Sequence, residues 1–260
     1  MPLLMKNWQR LFVIMNERII ISMTSYPARI QYVAKVWFTI LKQMQPEYNC
    51  HCILVLAKPE FPNKEKDLPQ DLLLLINSGK VELMWTTKNT LSHKKLIPTL
   101  LKYPNNPILI IDDDQYRTPN WLKTFIDYHR KYPTEVLTGI THFILQDGIF
   151  YRRTLMPGKY DNARPANGRG GTLYPPGIFT DKEFFDESLY MKLSPTSDES
   201  WQFYFMKKHK IPVRLIPYEN DTHLVISEAQ KMKTALWSVN NFGRYNVIWK
   251  TINDYFGTKL

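Results

Sequence analysis

The chain has 260 residues, 44% hydrophobic and 22% charged, with only 10 glycines. That balance excludes a disordered or fibrous chain and suits one large domain or two small ones. Lys and Arg number 34 against 24 Asp and Glu, a net +10, so an anionic partner is expected: nucleic acid, an acidic membrane face or a phosphorylated substrate.

Residues 1–18 read as an extension ahead of the fold. They lack the long apolar stretch and small-residue cleavage site of a secretory signal. No apolar run in the chain approaches the roughly 20 residues that span a bilayer. Two cysteines cannot build a disulfide framework. The expected location is the cytoplasm, with peripheral attachment to the inner face of the cell membrane left open.

The first strand is expected over 19–23, closed by the turn signal Thr24-Ser25-Tyr26-Pro27. Pro27 suits a first helical turn. After it Ile30, Val33, Val36, Trp37, Ile40, Leu41 and Met44 recur at three and four residues, which predicts an amphipathic helix. A buried strand follows over 50–57. Alternation sends Cys50 and Cys52 to one face and His51 to the other, so the three read as strand residues and not as ligands of one ion. A Pro-rich loop over 58–69, a helix over 71–76, a strand over 81–85 and a helix over 96–103 come next. Residues 108–111 form a fourth apolar strand that runs into Asp112-Asp113-Asp114. This alternation predicts an α/β fold with a mostly parallel sheet and helices on both faces. Ligands in such sheets lie beyond the carboxyl ends of the strands, where the three aspartates fall.

The second half is less regular. A helix is expected over 121–129, extended chain over 136–151 with a turn at Asp147-Gly148, and a long polar loop over 155–171. A helix over 197–209, a strand over 213–217 and an aromatic, partly helical stretch over 232–256 complete the reading. Residues 19–227 are expected to form the catalytic domain. Residues 228–260 form an aromatic and basic segment packed on that domain or on a membrane.

Three adjacent carboxylates repel one another unless cations or donors offset them. At a sheet mouth they suit a hard divalent ion such as Mg²⁺ or Mn²⁺, which bridges carboxylates to phosphates; the plain alternative is a solvated turn. Arg29, Lys94 and Lys95 fall near the same edge and would answer a diphosphate. Thr196 and Glu199 fit a capping box, while Asp198 at that helix start is placed to take a proton from a hydroxyl. His223 lies in a loop, as a surface residue or as a ligand.

Several stretches, in order, resemble a group of bacterial glycosyltransferases of the GT-A fold, family 2-like and of the polysaccharide or lipopolysaccharide type. They are 20–30 (Ile-Ile-Ser-Met-Thr-Ser-Tyr-Pro-Ala-Arg-Ile), Lys94-Lys95-Leu96-Ile97-Pro98, Tyr103-Pro104, Ile111-Asp112-Asp113-Asp114, Trp121-Leu122, 170–177 (Gly-Gly-Thr-Leu-Tyr-Pro-Pro-Gly) and 194–201 (Ser-Pro-Thr-Ser-Asp-Glu-Ser-Trp). The resemblance implies a single GT-A-like domain with an acceptor-side second half. It also implies a nucleotide-sugar donor, UDP-sugar favoured, and a Mn²⁺ or Mg²⁺ cofactor. The sugar would pass with inversion to a hydroxyl of a glycan or lipid-linked glycan.

By the same resemblance Asp112 and Asp114 hold the metal, with His223 completing its shell. Thr24, Tyr26, Arg29, Lys94, Lys95, Asp112 and Asp113 face the donor, and Gly170 and Gly171 let backbone approach the sugar. Asp198 is the base, with Glu199 the competing candidate. Glu199 stands where the group has Asp, and Gln115 where it commonly has a hydrophobic residue.

Three rival classes are weaker. A sugar-phosphate nucleotidyltransferase needs a Gly-rich loop after the first strand, where residues 24–30 hold no glycine. A haloacid-dehalogenase-type phosphatase wants Thr or Val two places after the second Asp, where Tyr116 stands here. A basic membrane-surface or nucleic-acid binding module would use Lys231, Lys233, Trp237, Arg244, Trp249 and Lys250, but no nucleic-acid motif is present.

Overall fold

The computed structural model describes residues 17–165, 167–218, 224–231, 240 and 243–260. Eleven strands are described: β1 (Ile19–Thr24), β2 (Cys50–Ala57), β3 (Glu82–Thr86), β4 (Ile108–Ile111), β5 (Val136–Thr138), β6 (Phe143–Gln146), β7 (Ile149–Arg152), β8 (Gly158–Tyr160), β9 (Ala163–Arg164), β10 (Thr172–Tyr174) and β11 (Val213–Leu215). The main sheet runs β3-β2-β1-β4-β10-β5-β11-β8. Only β10 and β8 run against the others. A small antiparallel sheet, β7-β6-β9, stands beside it.

Alternation along the central strands loads both faces. Ile19, Ile21, Met23, Cys52, Leu54, Leu56, Leu109 and Ile111 point to one core, and Ile20, Ile53, Val55, Ile108 and Ile110 to the other. The period of two does this, and it makes central parallel strands read as unbroken apolar runs. The first core is covered by α1 (Ile30–Leu41), α2 (Gln70–Asn77) and, past a short α3 (Ile97–Lys102) on the opposite face, by α4 (Trp121–Lys131). Helix α1 seats Ile30, Val33, Val36, Trp37 and Ile40 in that core. Pro27 lies in the turn that leads in, because the Tyr26 carbonyl accepts from both Arg29 and Ile30 N–H.

The second face carries α5 (Glu187–Leu193), α6 (Asp198–Lys208) and α7 (Arg244–Phe256). Helix α6 buries Trp201, Phe203, Tyr204, Phe205 and Met206. It is a central helix, buried on nearly every side with Asp198, Ser200 and Gln202 among its buried residues, so its sequence shows no apolar stripe. Its N-cap is Ser197, whose Oγ accepts from the Ser200 N–H at 3.3 Å, while Thr196 bonds the Asn240 side chain. The expected Thr196–Glu199 capping box is therefore absent.

Helix α7 buries Ile248, Trp249 and Ile252, with Trp249 against Phe203 and Phe256 stacked on Tyr204. The described part of the C-terminal segment thus closes the core; residues 232–239 lie outside the described residues. Among the described residues no helix is long and apolar enough to cross a membrane. Of the N-terminal extension, Glu17 is tied to His129 at 3.0 Å and Arg18 to Asn106; residues 1–16 lie outside the described residues.

The stretch expected as a loop over 155–171 instead holds β8, β9 and a helical turn, Asn167–Gly170. Strands of two and three residues are too short to show a period. Asp147 and Gly148 turn the β6–β7 hairpin, both at positive φ, as a two-residue hairpin turn requires. Cys52 packs in the first core with Cys50 on its edge, and His51 turns the other way to Glu82, 2.5 Å away.

Candidate functional site

The site lies at the carboxyl ends of β1 and β4, the edge the parallel topology singles out. Ser22, buried inside β1, explains one part of it. Its hydroxyl donates to the Lys95 carbonyl at 2.6 Å and meets Thr99 Oγ1 at 2.9 Å. These bonds dock the turn Leu91–Lys95 onto β1 and bring Lys95 beneath the end of β4.

The triplet is met by cations on two sides. Arg29 Nη1 lies 3.1 Å from Asp113 Oδ1 and 2.9 Å from Asp114 Oδ2, and Ser25 donates to Asp113 Oδ2 at 2.6 Å. Lys95 Nζ donates to Asp112 Oδ1 at 2.9 Å and reaches Asp198 Oδ2 at 3.6 Å. Burial works against both cations. The neighbouring carboxylates outweigh it, Asp114 and Asp113 for Arg29, Asp112 and Asp198 for Lys95, and hold both proton affinities above their ordinary values. Asp113 is raised by burial, and Asp114 is pushed up to about 6 by burial and then by the charges of Asp112 and Asp113.

Not every expected donor-side residue reaches the triplet. Lys94 is buried in an ion pair with Glu60 and donates to Asn89 at 2.9 Å. Thr24 donates to the Val55 carbonyl at 2.7 Å. Tyr26 offers its ring to Arg29, 5.6 Å away. Gly170 and Gly171 make their close approaches within the protein. A Cβ on Gly170 would stand 2.7 Å from Ile140 N, and one on Gly171, at φ +87°, 2.7 Å from the Trp121 ring. Gly168 is the glycine that meets the triplet. A Cβ there would overlap the Asp112 carboxylate, and the Gly168 carbonyl accepts from the Asp112 N–H at 3.1 Å.

Arg117 was not among the expected residues. It is buried, donates to the carbonyls of Gly168 at 3.0 Å and Arg169 at 2.6 Å, and lies over Trp121. Gln115, also fully buried, donates to Tyr218 Oη at 2.8 Å and accepts from Arg117 at 3.2 Å. An arginine three places past an acidic triplet looks solvated in sequence, and nothing in the local pattern marks it as buried. Asp114 O accepts from Ile226 N–H at 2.9 Å, and Tyr116 N–H donates to Leu224 O at 2.8 Å. His223 lies outside the described residues.

At the far side Asp198 and Glu199 open α6. Asp198 is sealed, its side chain 2% exposed, whereas the Glu199 side chain keeps 21% open. Glu199 accepts from Ser197 Oγ at 3.0 Å and faces Arg164 Nη1 at 3.7 Å. Burial and then the Asp198 charge push the Glu199 carboxyl above its ordinary range, with Arg164 and Lys95 opposing.

Among the described residues no three His, Cys, Asp or Glu side chains form a ready metal cage. The donor chemistry nevertheless fits a hard divalent ion. Three carboxylates stand together at the strand end, met by Arg29 and Lys95 and by the charge of the buried Arg117, and the Asp112 side chain remains 35% exposed as an oxygen donor.

No family model and no curated protein sequence matches the chain. Among solved structures it is similar to S. aureus TarS 1-349, with 15% identity over 79% of this chain and a TM-score of 0.51. It is similar to the same protein in complex with UDP, with 15% identity, 92% of this chain covered and a TM-score of 0.51. It is also similar to GalNAc-T7 with UDP, GalNAc and Mn²⁺, with 11% identity, 78% covered and a TM-score of 0.52. The chain spans 58%, 72% and 43% of those three chains. At such identities the likeness is one of fold, and the fold is GT-A.

Proposed function

We propose that the chain is a metal-dependent glycosyltransferase that moves a sugar from a nucleotide-sugar donor to a hydroxyl, with inversion. One observation carries the reading. Within a GT-A fold, a single buried ammonium, Lys95 Nζ, bridges Asp112 at the strand end to Asp198 at the start of α6. Two acidic motifs far apart in sequence are thereby held as one site. The similar structures include complexes with UDP and, for GalNAc-T7, with Mn²⁺, which supports a UDP-sugar donor.

Asp112 and Asp114 would hold the metal, together with His223, whose neighbour Leu224 is bonded to the segment after the triplet. When bound, the ion would neutralise charge on the diphosphate as it leaves. Arg29 and Lys95 add fixed positive potential at the same place, preorganised by their carboxylates before any donor arrives.

Glu199 is the better-placed base, because it alone of the pair keeps an open face. Asp198 serves as the anchor of Lys95. The acceptor oxygen attacks the anomeric carbon from the side opposite the diphosphate and bonds to it. The bond from that carbon to the diphosphate breaks, its electron pair leaves with the nucleotide, and the hydroxyl proton goes to Glu199. A raised carboxyl suits that task near neutral pH. One base with no enzymic nucleophile gives inversion.

The acceptor is proposed to be a glycan or lipid-linked glycan met at the inner membrane face, on the strength of the sequence resemblance. The phosphatase alternative gains nothing from a triplet on the fourth strand beside the antiparallel β10. Donor hydrolysis and transfer across UDP-, GDP- and CDP-sugars, with Mn²⁺ and with EDTA, test the proposal. EDTA-sensitive consumption of one donor class is expected, and consumption of none would refute it.

A further inference from the structure

The acidic pair has a second basic neighbour that the mechanism above leaves without a task. Arg164 leaves β9 with its side chain 2% exposed. Its guanidinium carbon lies 4.2 Å from the ring centre of Tyr245, 4.9 Å from Phe143 and 5.4 Å from Phe150. Its charge also acts on the Tyr245 phenol and opposes the rise that burial imposes there. Among the described residues its Nε and Nη1 have no hydrogen-bond acceptor.

Unsatisfied buried N–H groups are costly, and a buried arginine without a full carboxylate fork is a poor way to stabilise a core. The ring cage offsets part of that cost through cation–π attraction, and it spends no acceptor in doing so. The charge is left facing Glu199.

We propose that Arg164 is the positioning residue of the base: its ring cage fixes a cation beside Glu199, aims that carboxylate out of the helix start, and keeps it ionised enough to accept a proton. The inference rests on the reading of Glu199 as base. It also makes α7 a working part of the site, because Tyr245 in its first turn holds the guanidinium. Phe143 and Phe150 extend the same dependence to the β6–β7 hairpin.

Other charges act on the same group and set the sign of the test. Asp198 faces Glu199 from α6 itself, Lys95 from the turn before α3, Arg164 from β9, Tyr174 from β10 and Tyr245 from α7. His142, between β5 and β6, faces Arg164. Asp198 and burial raise the Glu199 carboxyl, while Arg164 and Lys95 pull it down. Removing Arg164 therefore sends it higher.

The test uses the full chain with Arg164→Met, Arg164→Lys and Glu199→Gln, and two readouts. Carbon-13 titration of the glutamate carboxyls, assigned with Glu199→Gln, reads the group directly and needs no turnover. The pH profile of kcat reads its use. In Arg164→Met the Glu199 resonance is expected to titrate about one pH unit higher, with the acidic limb of kcat moving alongside it. That is about a tenfold loss of ionised base on the limb. UDP affinity and donor KM should stay within about twofold, since no donor contact is removed.

Arg164→Lys, which keeps the charge without the fork, should show a smaller shift. If Arg164→Met does not fold, Arg164→Lys and Tyr245→Leu, which removes a ring of the cage, carry the test. An unmoved Glu199 titration in the folded variants overturns the proposal even where kcat falls, because a purely structural role lowers kcat without moving the group. A Glu199→Gln enzyme at the wild-type rate overturns the base reading instead, and is told apart by a titration shift that persists in Arg164→Met.

Discussion

The two acidic clusters of this site are neutralised in different ways. Asp112-Asp113-Asp114 sits at the end of a buried strand, and its cations, Arg29 and Lys95, come from the neighbouring strand-to-helix connections. Asp198-Glu199 sits at the start of a helix buried on nearly every side, and its cations come from further away. Lys95 reaches it from the first half of the chain and Arg164 from a two-residue strand beside the main sheet. The first cluster is compensated by the topology of the fold. The second is compensated by the way its two halves dock, and Lys95 is shared by both.

That contrast can be broken most sharply at the base. Glu199→Gln is expected to cut transfer by about 10³-fold, within the usual range for a general base. Donor binding should remain, as measured by calorimetry with UDP. The same substitution should raise the thermal midpoint. A carboxyl whose affinity for protons rises on folding costs stability as pH climbs past its unfolded value, so the gain over the wild type should grow from about pH 5 upward. A Glu199→Gln midpoint below the wild type at pH 8 would contradict the burial argument.

On the other cluster, Asp114→Ala is expected to lose about 10²-fold or more of metal-dependent donor turnover, with Mn²⁺ titration of the two proteins as the check. Full metal-dependent activity in that variant would remove Asp114 from the site. A smaller effect belongs to the tie between the triplet's strand end and the Asn167–Gly170 turn. Arg117→Met removes the buried donor of the Arg169 carbonyl and one donor of the Gly168 carbonyl, which keeps the Asp112 N–H, and should cost about 1–3 kcal/mol in urea unfolding.

The smallest effect falls outside both clusters and sets a baseline for ordinary charge pairing. Burial works against the Glu82 carboxylate, but hydrogen bonds from Lys102, Tyr103 and His51 outweigh it and bring the group down to about 2. Its contribution is therefore present above the usual glutamate value, near pH 4, and is lost as pH falls toward 2. Glu82→Gln should cost less than about 1 kcal/mol at pH 7, a gap that closes on acidification below pH 4.

The triplet was legible in the sequence because an apolar four-residue strand feeds it. Arg29 and Lys95 were legible because turn signals and helical spacing put them at the same edge. Gly170 and Gly171 drew attention as a glycine pair, yet their missing side chains make room for Ile140, Trp121 and Phe125. Gly168, two positions earlier, is the one against Asp112. Arg117 and Arg164 gave no signal, since a single arginine in a polar stretch looks solvated until its surroundings are known.

By itself, then, the sequence determined the alternation of strands and helices, the two-faced apolar pattern of the central strands and the location of the acidic triplet. These follow from periods of two and of three to four, which act within a few residues along the chain. Tertiary structure alone decided that one lysine joins both acidic motifs, that Glu199 stays open while Asp198 is sealed, and that three rings from the hairpin and the last helix enclose Arg164. Those facts depend on burial, and burial is set by which distant surfaces meet, a property that no local pattern of side chains encodes.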